Sequence, residues 1–238
     1  MRRKIRIRQA RVDDIEAILS VEKKAWPENL RASREMYESR LGTFPQGTLV
    51  AEREGKIEGV VVFQIMNFNS MLDISSWSEA TDNGYIRNSH DPQGNTLYGV
   101  NLSVSPQTQS RVAMALLEAV GKLAVKLDFK QIVLGGRIPS FARYLKHYCQ
   151  KNGVSAISDE KRDKIAEDYI QATNTRGNPL DPQITFYQKA GMKIIKLLPN
   201  YFKDPESLNY GILVLWPNPF YGKPFHRFWS WRFKLKVK

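Results

Sequence analysis

The chain has 238 residues, 42% of them hydrophobic, which suffices for a sizeable core in one large domain or two small ones. Its formal net charge of +12 points to anionic partners (nucleic acid, a membrane surface or an anionic small molecule) or else to a solvated basic surface. The single cysteine, Cys149, excludes an internal disulfide and a cysteine-based metal cluster, and it fits a reducing, cytoplasmic setting. The start, MRRKIRIRQARVDD, lacks the apolar core of a signal peptide, and no apolar run is long enough to span a bilayer.

In chain order, Lys4 to Gln9 alternates as a strand. A helix follows, capped by Asp13 or Asp14, with Ile15, Ile18, Leu19, Ala25 and Trp26 as its apolar stripe and Pro27 as its stop. Ser33 caps a second helix, with Met36, Tyr37 and Leu41 toward the core and Gly42 as its end. Thr48 to Glu52 and Ile57 to Met66 are two strands of a hairpin turning at Glu54-Gly55-Lys56. Phe68 to Asn95 is a polar loop, either a wall or lid of a binding pocket or a surface insertion.

Thr96 to Leu127 carries the strongest signal. Tyr98, Val100, Leu102 and Val104 alternate as a strand that Pro106 ends, and a polar turn of Gln107, Thr108, Gln109 and Ser110 follows. Val112, Leu116, Ala119, Val120, Leu123 and Leu127 then recur at helical spacing. A strand, tight turn and helix aim unpaired N–H groups beyond the strand's carboxyl end, a geometry that suits a phosphate. Gln131 to Gly135 is a short buried strand with Arg137 at its edge. Phe141 to Tyr148 and Asp159 to Ala172 read as helices, the second with Ile165, Tyr169 and Ile170 inward. A short helix ends at Gly191, Met192 to Leu198 is a strand, and Asn209 to Trp216 is the last strand.

The strand, two helices and hairpin, then the strand and turn around Pro106, then the closing PQITFYQKAG, resemble the GNAT superfamily of N-acetyltransferases over residues 4 to 221. HDPQGNTLYGVNLSV, GGRIP and DPESLNYGILVLWPNPFY are similar to a subgroup whose domain stands alone or precedes a carbon–nitrogen hydrolase domain. The resemblance implies an α/β fold: a mixed, mostly antiparallel sheet of about seven strands flanked by helices and splayed between the fourth and fifth strands. It implies one GNAT domain over 1–221, with insertions at 68–95 and 140–180, and a basic aromatic tail over 222–238.

Its implied chemistry is transfer of an acetyl group from acetyl-CoA to an amine of a small-molecule or peptide acceptor. The backbones of Leu102, Ser103 and Val104 would pair with the pantetheine arm. Gln109, Ser110, Arg111, Val112, Ala113 and Met114 would receive the pyrophosphate, and Tyr187 would protonate the leaving thiolate. Asn101 and Arg137 are the candidates for binding the acceptor, Arg137 alternatively for a structural salt bridge. Glu52, His90, Asp91, Asn101, Ser103 and a water chain all stay open as the base. Val112 and Met114 stand where the family has glycine or a small residue, which leaves a second reading: a catalytically degenerate module with weak or no CoA binding. His147 and His226 lack the spacing of a metal site, so no metal is expected. The tail, KPFHRFWSWRFKLKVK, either docks onto the domain or forms a homodimer contact, with nucleic acid or membrane attachment as further readings.

Overall fold

The computed structural model describes residues 4–71, 75–106 and 109–235, with the side chains of 70, 71 and 109 outside the description. The elements run β1 (Arg6–Gln9), α1 (Ile15–Ala25), α2 (Arg34–Thr43), β2 (Thr48–Arg53), β3 (Lys56–Met66), α3 (Phe68–Met71), α4 (Trp77–Ala80) and β4 (Thr96–Val104). They continue with α5 (Gln109–Lys126), β5 (Gln131–Arg137), α6 (Phe141–Asn152), α7 (Asp159–Gln171), α8 (Pro182–Lys189), β6 (Lys193–Leu198), β7 (Gly211–Pro217) and α9 (His226–Arg232). The strands form one mixed seven-stranded sheet in the order β1-β2-β3-β4-β5-β7-β6, with its parallel, splayed step at β4 and β5, the pair joined through helix α5. Two compact units divide the chain: one on Met1–Ile74, Ser78–Val133 and Pro217–Leu235, the other on Leu134–Trp216 with Ser75–Trp77.

In the first unit β1, β2, β3 and β4 are antiparallel neighbours. Glu54 and Gly55 both take positive φ (53° and 74°), so Arg53 pairs with Lys56 across a two-residue turn of the primed kind that follows strand twist. The Ser33 side chain accepts from Met36 N at 3.3 Å and starts α2. Gly42 does not end that helix, which runs on to Thr43; no neighbour approaches Gly42, and its φ is not in the left-handed region that would break the ladder there. Tyr37 and Leu41 are buried, and Met36 is half-buried.

Residues 78–95 are bolted to that unit. Arg40 Nε donates to Gly84 O (2.7 Å), Ser39 Oγ to Tyr85 O (2.8 Å) and Gln64 Nε2 to Ala80 O (2.5 Å). Ala80, Thr81 and Ile86 are buried beneath it, so residues 78–95 pack as a wall. In the second unit, Asp181 caps α8 through Gln183 N (2.8 Å), takes the Tyr169 hydroxyl (2.9 Å) and takes Ser140 N (3.1 Å). Around it Phe141 packs 5.3 Å from both the Tyr169 and Tyr210 rings. Ile165, Tyr169 and Ile170 are buried, as the helical period requires.

Candidate active site

β4 does not alternate as its sequence suggests. Gly59 lies opposite Val104 and Val62 opposite Asn101, but Phe63 lies opposite Gly99. Val100 is therefore an extra residue, a bulge that re-aims the strand's last turn of side chains. Past it Asn101 and Leu102 are half-buried, and Ser103 and Val104 are buried. Burial on both faces of a central strand removes the polar–apolar alternation.

The turn residues Gln107 and Thr108 lie outside the described residues, as does the Gln109 side chain, while the helix backbone opens at Gln109. Ser110 and Arg111 are exposed and Met114 is half-buried. Val112 and Ala113 are buried. Val112 Cγ1 sits so close to Gly59 that a Cβ there would come within 2.7 Å of it. The side chain that replaces a family glycine is thus turned onto β3, and the first N–H groups of α5 have no partner within the helix.

Behind Asn101 and Ser103 lies a buried polar cluster. Glu22 Oε1 accepts from the Tyr37 hydroxyl (2.8 Å), Asn101 Nδ2 (2.6 Å) and Ser103 Oγ (2.6 Å), and Oε2 accepts from Ala32 N (3.1 Å). Trp26 Nε1 donates to Ser103 Oγ at 2.7 Å, so that hydroxyl receives from the indole and gives to the carboxylate. Burial, then the Glu22 charge, pushes the Tyr37 hydroxyl well above its ordinary value. Arg40 lies 4.8 Å from the Tyr37 ring centre. α1 presents Ile15, Ile18 and Glu22 on one face, so an acid stands on the helix's buried stripe. Sequence reading missed Glu22, Trp26's hydrogen bond and Tyr37 as a polar set; the acid at stripe spacing was the available signal.

Tyr187 belongs to the second unit, on α8, and is buried. Burial pushes its hydroxyl up to about 12, against a hydrogen bond with Gln183 that draws it down. A Cβ at Gly136 would stand 2.5–2.8 Å from the Tyr187 ring and hydroxyl, so the absence of a side chain on β5 is what seats that ring. Arg137 forks onto Asp204 (2.8 and 2.7 Å) and reaches Glu206 (2.9 Å). Burial would raise the Asp204 carboxyl, but hydrogen bonds from Arg137 and Ser207 prevail and hold it low.

Among the remaining base candidates, Glu52 is paired with Arg8 at 2.8 Å. His90 Nδ1 accepts from Ile65 N (3.1 Å), its ring stacks on Phe44 (4.9 Å), and burial lowers its pKa. Its neutral ring ties the wall to β3. Asp91 caps a turn through Gln93 N (2.9 Å). No group of three or more His, Cys, Asp or Glu among the described residues could hold a metal ion. No helix among them is long and apolar enough to cross a membrane.

A bulged central strand running into a long helix, in a mixed sheet parted between its fourth and fifth strands, defines a GNAT-like α/β fold. No family model matches the chain. Over 222 residues it is 34% identical to an uncharacterized N-acetyltransferase, YkwB, of Bacillus subtilis (strain 168), covering 91% of this chain and 90% of that protein. It is 32% identical over 218 residues to YhcX of the same organism, described as a "probable hydrolase", of which this chain spans 39%. Among solved structures it superposes on the GphF GNAT-like decarboxylase in complex with isobutyryl-CoA, with a TM-score of 0.69 and 26% identity over 90% of this chain and 99% of that one. The chain belongs to the GNAT superfamily, whose general chemistry is acyl transfer.

Proposed function

We propose that the chain is an N-acyltransferase that moves an acetyl group from acetyl-CoA to the amine of a small molecule or peptide, in a reducing cytoplasmic compartment. The observation that supports this most is the inward turn of Val112. It directs the Val112 side chain onto β3, beside exposed Ser110 and Arg111, so the missing glycine does not by itself exclude a pyrophosphate from the N-terminus of α5. The N–H groups at residues 109–114 receive the phosphates, and the backbones of Leu102, Ser103 and Val104 hold the pantetheine arm. The Glu22 cluster fixes Asn101 and Ser103 from behind, so β4 is rigid where the thioester lies.

The amine nitrogen attacks the thioester carbonyl, the C–S bond breaks and the thiolate leaves. A phenol at about 12 does not hand its proton fully to a thiol of about 8.5, since that step is uphill by roughly 5 kcal/mol. Tyr187 therefore donates a hydrogen bond to the departing sulfur, and the proton released by the attacking amine neutralises it. Arg137 binds an acidic group of the acceptor by exchanging Glu206, which is more exposed than Asp204.

Calorimetric titration with acetyl-CoA, followed by an amine screen read as thiol release, tests the reading. Micromolar binding and amine-dependent release support it. Absence of binding at millimolar concentration overturns it in favour of a degenerate module. The similarity to a GNAT-like decarboxylase favours one second reading, decarboxylation of a carboxyacyl-CoA. Carbon dioxide release from malonyl-CoA without any amine would establish that reading in place of amine transfer. The similarity to YhcX supports the subgroup that precedes a hydrolase domain.

A further inference from the structure

The C-terminal segment is docked, and the face it leaves outward is the unusual one. Ser230 Oγ donates to Lys122 O (2.9 Å), and Phe233 is buried against Gly121, where a Cβ would come within 2.5 Å of its ring. Trp229 stacks on Phe220 at 5.0 Å and gives its indole N–H to Pro224 O (2.9 Å). The Ser230 and Phe233 contacts fix α9 on α5, and those of Trp229 hold the approach to α9 in place. Yet Phe225 is 78% exposed, Trp231 77% and Phe228 47%. Phe228 and Trp231 are three residues apart on the helix with ring centres 6.4 Å apart, and Phe225 stands at its N-cap in the left-handed conformation. Beside them Lys122, Lys126 and Arg227 line an open hollow of about 360 Å³ with Ser230 and Trp231. Lys223 and Arg232 lie over the Phe220 and Phe228 rings. The acids nearby are already engaged: Glu118 with Lys122 (2.8 Å) and Asp128 with Gly222 N (2.9 Å).

We propose that this face is a docking surface for an anionic lipid bilayer, with Phe225, Phe228 and Trp231 entering the headgroup–acyl boundary and the surrounding cations meeting lipid phosphates. Large aromatics on a short helix and at its N-cap, flanked by lysine and arginine, match what an interface takes up. Two other occupants fit less well. A second copy would bring the same cations together, and three aromatics supply at most roughly 450–750 Å² against the ~800 Å² per partner of a standard interface. Base stacking needs open ring faces, and Phe228 already carries the Arg232 guanidinium at 5.8 Å and stands edge-on to Trp229 at 5.2 Å. The inference is independent of the acyl-transfer reading, because its test involves no CoA.

The test is co-sedimentation of the full chain with vesicles of about 70% phosphatidylcholine and 30% phosphatidylserine, against pure phosphatidylcholine vesicles. Binding is expected to be at least roughly tenfold stronger to the anionic vesicles and to weaken as salt rises from about 0.1 to 0.5 M. The double variant Phe225→Ser and Trp231→Ser should lose about tenfold in binding with an unchanged melting temperature, since both side chains already face solvent. Lys126→Ala with Arg227→Ala should weaken binding to anionic vesicles alone. Equal binding to both vesicle types, or binding indifferent to the aromatic variant, overturns the proposal. So does tight binding of a single-stranded oligonucleotide without vesicle binding, or a dimer that the aromatic variant dissociates.

Discussion

At Glu22 the cost of burying a carboxylate is met by donors from three side chains and a backbone amide. Glu22→Gln puts an NH2 group against hydroxyl and amide donors, so it should cost about 2–4 kcal/mol in urea unfolding. Tyr37→Phe removes one donor of the set and should cost about 1.5–3 kcal/mol. Tyr187 sets a different expectation. With its hydroxyl at about 12 it stays protonated throughout the working range. Tyr187→Phe should therefore lower kcat by about 100-fold, leave acetyl-CoA affinity unchanged, and leave the alkaline limb of the pH–rate profile where it is. An unchanged kcat would remove Tyr187 from the mechanism. Gly136→Ala drives a Cβ to 2.5 Å from the same ring, and should both destabilise by about 1–3 kcal/mol and reproduce the Tyr187→Phe loss of rate.

At the scale of elements, α5 is seated on β3 through Val112, Leu116 and Gly59. Val112→Gly removes a buried side chain and adds a helical glycine, so it should cost about 2–4 kcal/mol in urea unfolding and bring no gain in CoA affinity. A gain in affinity would mean that Val112 does obstruct the pyrophosphate. The hairpin at Glu54-Gly55, the Ser33 cap and the seven strands were legible in the sequence because each rests on neighbours within a few residues. The bulge at Val100 was not, since one extra residue in a strand changes no local propensity. The Glu22 cluster was not, because Glu22 and Ser103 are 81 residues apart and only the folded sheet brings them together. Val112 looked obstructive because a motif position says nothing of which way its side chain turns. Arg137 was read as either a ligand for the acceptor or a salt bridge, and its fork onto Asp204 is set by a loop far along the chain.

Across the whole molecule part of the acid response follows from two partly buried carboxyls, Asp14 and Asp204, one in each unit. The hydrogen bond from Arg8, stronger than the opposing effect of burial, holds Asp14 below its ordinary range, and Asp204 is held low by Arg137 and Ser207 in spite of burial. In the unfolded chain both return to about 3.9, so below about pH 5 the unfolded state takes up protons that the folded state still refuses. The stability these pairs give is complete above that range and is lost as pH falls through the depressed folded values. The chain starts at +12 with 24 acidic residues, so protonation also adds to self-repulsion and steepens the loss. Urea midpoints measured from pH 7 to about pH 3 should fall for the native chain, and Asp14→Asn and Asp204→Asn should each flatten that fall while lowering the midpoint at pH 7. The two effects should add in the double variant, because the groups share no partner. A double variant with the native slope would place the acid sensitivity in the net charge and not in these two pairs.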